Sequence, residues 1–496
     1  MAIDILLLLP VIIPSAAAVL VFLLAAFVPS RTLALTVALL ALAAGAWSLV
    51  NWNGSATLFA GMLHPDLFAR ISALFCFGIS AIAVLAAPSY FRRMNMDFGE
   101  EYYALILAAT AGMVVMVAAN DLIVLFVNLE LVSITTYIMC GMNRQSKKST
   151  EAALKYFVNG AAASAFMLFG IALVYGVTGS TDLARISSLL HTGGPVFPAP
   201  LFGLALLLIA IGFFFKLGLV PFHAWLPDVY EGAPTPVTGF MAAAVRTVAG
   251  IALIRLVICL FEPGMNGFTP VIWWIAVISM TVGNVAAIRQ DNVKRMLAYS
   301  SIAHAGYLMI GFVSLSQSHL LGAESILYYL LAYSLMSLGI FIFVGQVERC
   351  GESNLSFDSY RGLGLRQPFV GLLASILLLS LTGIPPLAGF WGKFSLFSAA
   401  VQNGFTGLAV IGALNSIVSA YYYFRLMVSM YMRTAQPDES TASYAGAPLV
   451  TTALLLCTVL LVWFGIGPVP LSGIIPSVND IWAGIENGVR VLNPGF

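Results

Sequence analysis

Runs of about twenty apolar residues follow one another along almost the whole chain. This feature restricts the fold more than any other, because a helix of about 20 such residues spans the ~30 Å core of a bilayer. Fourteen runs fall near residues 3–27, 31–50, 68–90, 102–119, 121–142, 152–178, 201–221, 235–260, 269–289, 297–316, 320–347, 369–400, 405–432 and 447–469. They are too long and too evenly apolar for the alternating ten-residue strands of a transmembrane barrel. The predicted class is an all-α polytopic membrane protein of about 14 transmembrane helices. Composition excludes a soluble alternative. Of 496 residues, 60% are hydrophobic and 9% charged, and the mean hydropathy is +0.97. Globular chains carry roughly 25% charge, so this one cannot cover a surface in water.

Lysine and arginine give an expected topology. Odd-numbered loops hold Arg31, Arg92, Arg93, Arg144, Lys147, Lys148, Arg289, Lys294, Arg295, Arg349, Arg361, Arg366 and Arg433, whereas even loops and both tails hold Arg70, Arg185 and Arg490. The positive-inside rule then predicts cytoplasmic odd loops and both termini outside. The head of the first run carries Asp4 and no basic residue, which speaks against a cleaved signal peptide. No loop reaches the length of a soluble domain. The tail carries Ile481, Trp482, Ile485, Val489 and Val491 among polar residues, a pattern suited to the membrane interface.

Several chemistries have no foothold. A net charge of +1 offers no field for nucleic acid. The cysteines 76, 140, 259, 350 and 457 are scattered and form no CxxC pair, so neither a disulfide framework nor a cysteine-held metal or iron–sulfur site is expected. There is no GxGxxG and no P-loop. Cofactor-binding and metal residues are therefore expected to be none in this chain, and any redox centre would sit in another.

Six basic residues fall inside or at the edge of apolar runs: Lys155, Lys216, Arg246, Arg255, Lys393 and Arg425, together with the acid Glu130. A charge at the bilayer centre costs ~2.5–3.5 kcal/mol on insertion scales. Glu130, Lys216, Arg246 and Lys393 lie well within their runs and are the main candidates for a polar path. A helix staple would balance its signs, and here three cations face one acid. Lys155, one turn inside its run, suits snorkelling as well as a relay. Arg255 and Arg425 lie toward helix ends and read as structural. His223 and His304 titrate near neutrality and fit either a relay or a satisfied interior histidine.

Two runs are broken. The seventh contains Gly218, Pro221 and Pro227, and the twelfth contains Gly383-Ile-Pro-Pro386 and Gly389. Proline removes a backbone donor, and in lipid the freed groups must be met by protein or water. The breaks stand five helices apart with a lysine near each. A five-helix unit reverses orientation when repeated, so helices 4–8 and 9–13 are expected to form two inverted repeats with broken helices 7 and 12, an arrangement typical of transport sites. The expected division is 1–101 (three helices), 102–268 (first repeat), 269–433 (second repeat) and 434–496 (helix 14 and tail).

Three stretches carry a specific resemblance: Phe215 to Pro236 (FKLGLVPFHAWLPDVYEGAPTP), Leu297 to Tyr307 (LAYSSIAHAGY) and Gly383 to Lys393 (GIPPLAGFWGK). Over about residues 100–432 the chain resembles the antiporter-like membrane subunits of respiratory complex I. Glu130-Leu-Val-Ser133 is most similar to the N-type subunits. The L and M types and sodium/proton antiporter subunits are close relatives. The resemblance implies proton translocation coupled to quinone reduction in other subunits. It implies that Glu130 pairs electrostatically with Lys216, that Arg246 occupies the central relay position, that Lys393 is the relay near the exit, and that Lys155 and His304 lie on the polar axis. NADH, FMN, iron–sulfur clusters and quinone are expected in partner subunits of a complex I-type assembly in a bacterial inner membrane, among them further antiporter-like chains.

Arg246 departs from the family, which usually has lysine there. An arginine stays charged up to about pH 12 and cannot load and release protons, so either water carries them past a fixed cation or another group, His223 or His304, serves. The competing readings are a subunit of a multi-subunit sodium/proton antiporter, a non-conducting structural anchor, and a solute carrier. The buried charges speak against the anchor, and nothing beyond the breaks suggests a solute pocket.

Overall fold

The structure, a computed structural model, describes residues 2–28, 30–52, 57–96, 99–191, 199–261, 265–315, 319–349, 355–434 and 447–466. The tail expected at the interface lies outside them. Among the described residues the regular structure is helical throughout, with only isolated bridges between extended residues. Among the described residues, thirteen helices are long and apolar enough to cross a membrane: Ile5–Phe27, Arg31–Asn51, Leu67–Arg93, Glu100–Ala118, Leu122–Cys140, Lys147–Thr178, Pro200–Leu217, Thr235–Leu260, Gly267–Ile288, Val293–Leu315, Leu321–Val347, Thr406–Met432 and Pro448–Gly465. The run at 369–400 is not one helix but two, Pro368–Thr382 and Ala388–Gln402. Neither half is long enough alone to count as a span; together they make the twelfth of fourteen crossings.

Local chemistry sets the ends. The join between the fourth and fifth crossings is only Ala119-Asn120-Asp121. It holds because the Asp121 carboxylate caps the fifth helix, accepting from Ile123 N at 2.8 Å. Asp66 caps the third crossing in the same way, from Ala69 N at 2.7 Å. The joins before crossings five and ten are alike: Asp121 bridges to Asp182, and Asn292 bridges to Ser356.

Crossing eleven is wholly buried, and crossings eight and ten nearly so, while the first, second, sixth, ninth, thirteenth and fourteenth face outward. A helix apolar on all sides is one buried on all sides. The three buried crossings therefore form an interior column. Crossing ten packs on nine, crossing eleven packs on ten, and the second half of the twelfth packs on both ten and eleven. The first and third crossings pack on the fourth, and the fourteenth on the eleventh and third.

Candidate functional site

Each break places a basic side chain beside a left-handed glycine. The seventh crossing stops at Leu217, four residues short of the expected 221, because Gly218 turns to φ 73°. A Cβ there would lie 3.4 Å from Arg246 Nη2. The chain then runs through Val220-Pro221, a cis peptide, to the short helix Leu226–Gly232. In the twelfth crossing Gly383 (φ 92°) ends the first half-helix, a cis Pro385-Pro386 follows, and a Cβ on Gly383 would lie 3.0 Å from Lys393 Cδ. Only glycine adopts these backbone angles without a steric penalty.

Lys216 is buried and donates to Ser133 Oγ at 2.6 Å and Tyr137 Oη at 3.0 Å. Its ammonium also lies over the rings of Tyr137 and Phe215, 5.2 and 5.4 Å from their centroids. Glu130 is half-buried and accepts from Ser164 Oγ. The expected pairing of Glu130 with Lys216 is indirect. Both meet the same face of the fifth crossing, since Glu130 and Ser133 are three residues apart, and the hydroxyls of Ser133 and Tyr137 take the place of a direct ion pair.

Arg246 follows a π-helical turn, Met241–Val245, in the eighth crossing; such turns recur at functional sites. Its Nη1 donates to the Ser301 carbonyl at 2.6 Å and to Tyr333 Oη at 2.9 Å, and the guanidinium lies 5.1 Å from the Tyr333 ring centre. Nε and Nη2 are buried without a protein acceptor, and among the described residues no carboxylate forms an ion pair with it. A buried cation of this kind calls for water or a mobile counter-charge.

His304 continues the line. Nδ1 is 2.6 Å from Tyr329 Oη and Nε2 is 3.0 Å from Tyr423 Oη, with Tyr423 in turn bonded to Ser300. The His304 ring lies 5.1 Å from that of Tyr333 and 5.7 Å from that of Tyr307. Lys393 completes it, with its ammonium 4.9 Å from the Tyr307 ring centre. Lys393 Nζ donates to the carbonyls of Leu381 (3.0 Å) and Thr382 (2.9 Å) and to Ser416 Oγ (2.9 Å). Those carbonyls are orphans at the end of the first half-helix, where the dipole is negative. The structure thus brings Arg246, His304 and Lys393 into one buried row, with Tyr333 and Tyr307 between them, and Lys216 joins it two residues before Gly218, the glycine that faces Arg246.

The remaining candidates lie beside this row. Lys155 sits at the face that collects the basic loops, bonded at 2.7 Å to Asp228 and at 2.7 Å to Glu151. Arg295 ties Asp228 (2.8 Å) to Glu231 (3.0 Å) in the same cluster. Burial pushes the Asp228 carboxyl up, but hydrogen bonds from Lys155 and Arg295 outweigh it and hold the group below the usual range. His223 occupies the unwound stretch after Gly218, half-buried, and its Nδ1 has no protein partner. Arg255 forms a buried pair with Asp66 at 2.9 Å, and Arg425 meets Asp291 at 2.8 Å.

Sequence reasoning missed the tyrosines and one buried acid. Tyr329, Tyr333 and Tyr423 look like ordinary helix residues, and only the packing shows that their hydroxyls face one axis. Glu348 directly follows the eleventh apolar run and Lys294 falls in a basic loop, so neither stands out in the sequence. Both are buried, 3.7 Å apart.

With this geometry in place, likeness to known proteins has a physical footing. The family described as NADH:quinone oxidoreductase/Mrp antiporter, transmembrane, matches residues 119–419, and the chain belongs to it. A protein named NADH-quinone oxidoreductase subunit N from Trichlorobacter lovleyi is 42% identical over 440 residues, covering 88% of this chain and 86% of its own. A chain of respiratory complex I from Thermus thermophilus superposes with a TM-score of 0.77 at 35% identity, over 92% of this chain and 97% of that one. A chain of the Mrp complex from a Dietzia species superposes with a TM-score of 0.83 over 99% and 98%, but at 19% identity it attests the fold alone.

Proposed function

We propose that this chain is a proton-translocating membrane subunit of a complex I-type NADH:quinone oxidoreductase, itself without a redox centre, and that Glu130, Lys216, Arg246 and Lys393 form its relay. NADH, FMN, iron–sulfur clusters and quinone belong to partner subunits, and further antiporter-like chains are its neighbours. The basic-loop face is cytoplasmic, both termini are outside, and the membrane is a bacterial inner membrane. The observation that carries the relay is the buried row of Lys216, Arg246, His304 and Lys393 bracketed by two broken helices. Hydrocarbon would not retain four such groups without a use for them.

The roles follow from the chemistry of each group. Lysine can give up a proton once desolvated, and an approaching acid restores its hold. Glu130, held by Ser164 rather than by Lys216, is placed to act as that acid. Arg246 keeps its charge and serves as a fixed repeller and water orienter. His304, with an acceptor or donor on each ring nitrogen, is the group beside it that can exchange protons. Lys155 and His223 stand to the side as secondary relay groups. In vesicles containing the intact complex, Lys216→Ala should lower the protons moved per electron while quinone reduction continues. Full pumping by that variant in a normally assembled complex would overturn the reading. It would favour the sodium/proton antiporter subunit alternative only if sodium movement followed the same residues.

A further inference from the structure

A proton path needs a mouth, and the buried row does not itself reach the basic-loop face. We propose that a cavity of about 510 Å³ on that face is the uptake vestibule, and that Glu348 at its floor is the group that takes protons from it. This rests on the proton-conducting reading above and names the residue that loads the path.

The cavity is open to the surface, and its wall includes Asn95, Asn143, Gln145 and Ser146, with Lys294 and Glu348 at the bottom. It has room for on the order of ten waters. Glu348 and Lys294 are almost fully buried, at 1% exposure each. They are not a tight staple. Lys294 Nζ stands 3.7 Å from the carboxylate and donates instead to the Ala233 carbonyl at 2.9 Å. The other carboxylate oxygen accepts from the Thr235 hydroxyl. Ala233 and Thr235 flank the start of the eighth crossing, which carries Arg246 eleven residues further on. The acid therefore stands where the broken seventh helix hands over to the arginine helix.

The charged and titratable groups around Glu348 come from several elements, and Lys147 and Lys148 line the wall of the cavity above it. Lys294 faces it from the tenth crossing. Arg93, from the end of the third, donates to the carbonyls of Glu348, at 3.0 Å, and Gly345, and to the Gln346 side chain at 3.3 Å. Tyr90 and Tyr360 lie within electrostatic reach of the carboxylate, and the Tyr360 hydroxyl is buried without a partner. By contrast, Asp228 and Glu231 in the neighbouring surface cluster are each gripped by Arg295 at 3.0 Å or less. The step is one proton transfer. An O–H bond breaks on a hydronium in the vestibule and forms on a Glu348 oxygen, and transfer onward to water on the inner side restores the carboxylate.

The test uses the intact complex in vesicles, read as protons moved per electron. Glu348→Gln should lower that ratio several-fold while quinone reduction continues, and Glu348→Asp should restore most of it with a shifted pH profile. In Asn143→Cys, a membrane-impermeant cationic thiol reagent added on the basic-loop side should abolish pumping relative to the same variant left untreated. A full ratio in assembled Glu348→Gln, or in modified Asn143→Cys, overturns the vestibule. If Glu348→Gln fails to assemble, the Asn143→Cys measurement decides alone. Lys216→Ala in the same assay separates the two claims: loss there with full pumping in Glu348→Gln rejects only the vestibule, whereas full pumping in Lys216→Ala rejects the proton-conducting reading itself.

Discussion

In the first half of the protein the buried lysine comes before the helix break, and in the second it comes after. Lys216 is two residues ahead of Gly218, and Lys393 is ten residues past Gly383. Counted from the break glycine, the place of Lys216 is taken by Leu381 in the second half, and the place of Lys393 is taken by Asp228 in the first. Yet Lys393 folds back so that its ammonium meets the Leu381 carbonyl at 3.0 Å. Both halves therefore bring a cation to the end of the first half-helix, from opposite directions. The surroundings differ accordingly. Lys216 meets two hydroxyls with an acid near by, and Lys393 meets two helix-end carbonyls and one hydroxyl. On the proposed reading the first lysine is switched by a moving carboxylate, whereas the second meets the negative end of a helix dipole.

The largest effect that could break this comparison comes from relocating the second lysine. Lys393→Leu should abolish the pumping contributed by this subunit, and adding Leu381→Lys should recover a substantial part, because the ammonium then arrives from the side used in the first half. No recovery in a normally assembled double variant, measured as protons per electron, would show that the two sites are not equivalent. Next comes the residue between them. Arg246→Lys should largely preserve turnover and Arg246→Ala should not; equal turnover in both would make the charge dispensable. A smaller change is expected from Ser133→Ala, which removes a hydrogen bond to a charged group worth about 1.5–3 kcal/mol. It should shift the pH profile of pumping, with no matching shift from Ser416→Ala if the carbonyls hold Lys393.

The smallest effect is at Asp228, which occupies the first half's counterpart of Lys393. Its carboxyl is held below the usual range because hydrogen bonds from Lys155 and Arg295 outweigh burial. The contribution to stability is therefore complete above about pH 4 and is lost as pH falls through the folded-state value. Asp228→Asn should cost at most about 1 kcal/mol at pH 7. The difference from the natural protein should vanish in acid, as read by thermal unfolding of the purified complex across pH.

Much of this architecture is legible in the sequence, because lipid imposes a simple rule on length and polarity. The crossings were readable from apolar runs, and the breaks from Gly218, Pro221, Gly383 and Pro386. The charged members of the row stood out because charge is costly in hydrocarbon. What stayed hidden was direction. Nothing in the spacing tells that Lys393 turns back along its own helix, or that Ser133 and Tyr137 stand between Glu130 and Lys216. Tyr329, Tyr333 and Tyr423 gave no signal, since tyrosine is at home in any membrane helix and only packing decides where its hydroxyl points. Glu348 was obscured by position. It follows the last residue of an apolar run, where an acid is expected to be hydrated, and only the fold of distant segments buries it.

The pair formed by Asp66 and Arg255 spans 189 positions of chain. Both members are nearly inaccessible to water, and a buried ion without its counter-ion is costly. During synthesis the aspartate emerges long before its arginine, so the opening trio of helices waits, unfinished, until the eighth has been threaded. A nascent chain truncated before Arg255 keeps a buried carboxylate without its counter-ion, and membrane quality-control proteases should recognise it sooner than one cut just beyond.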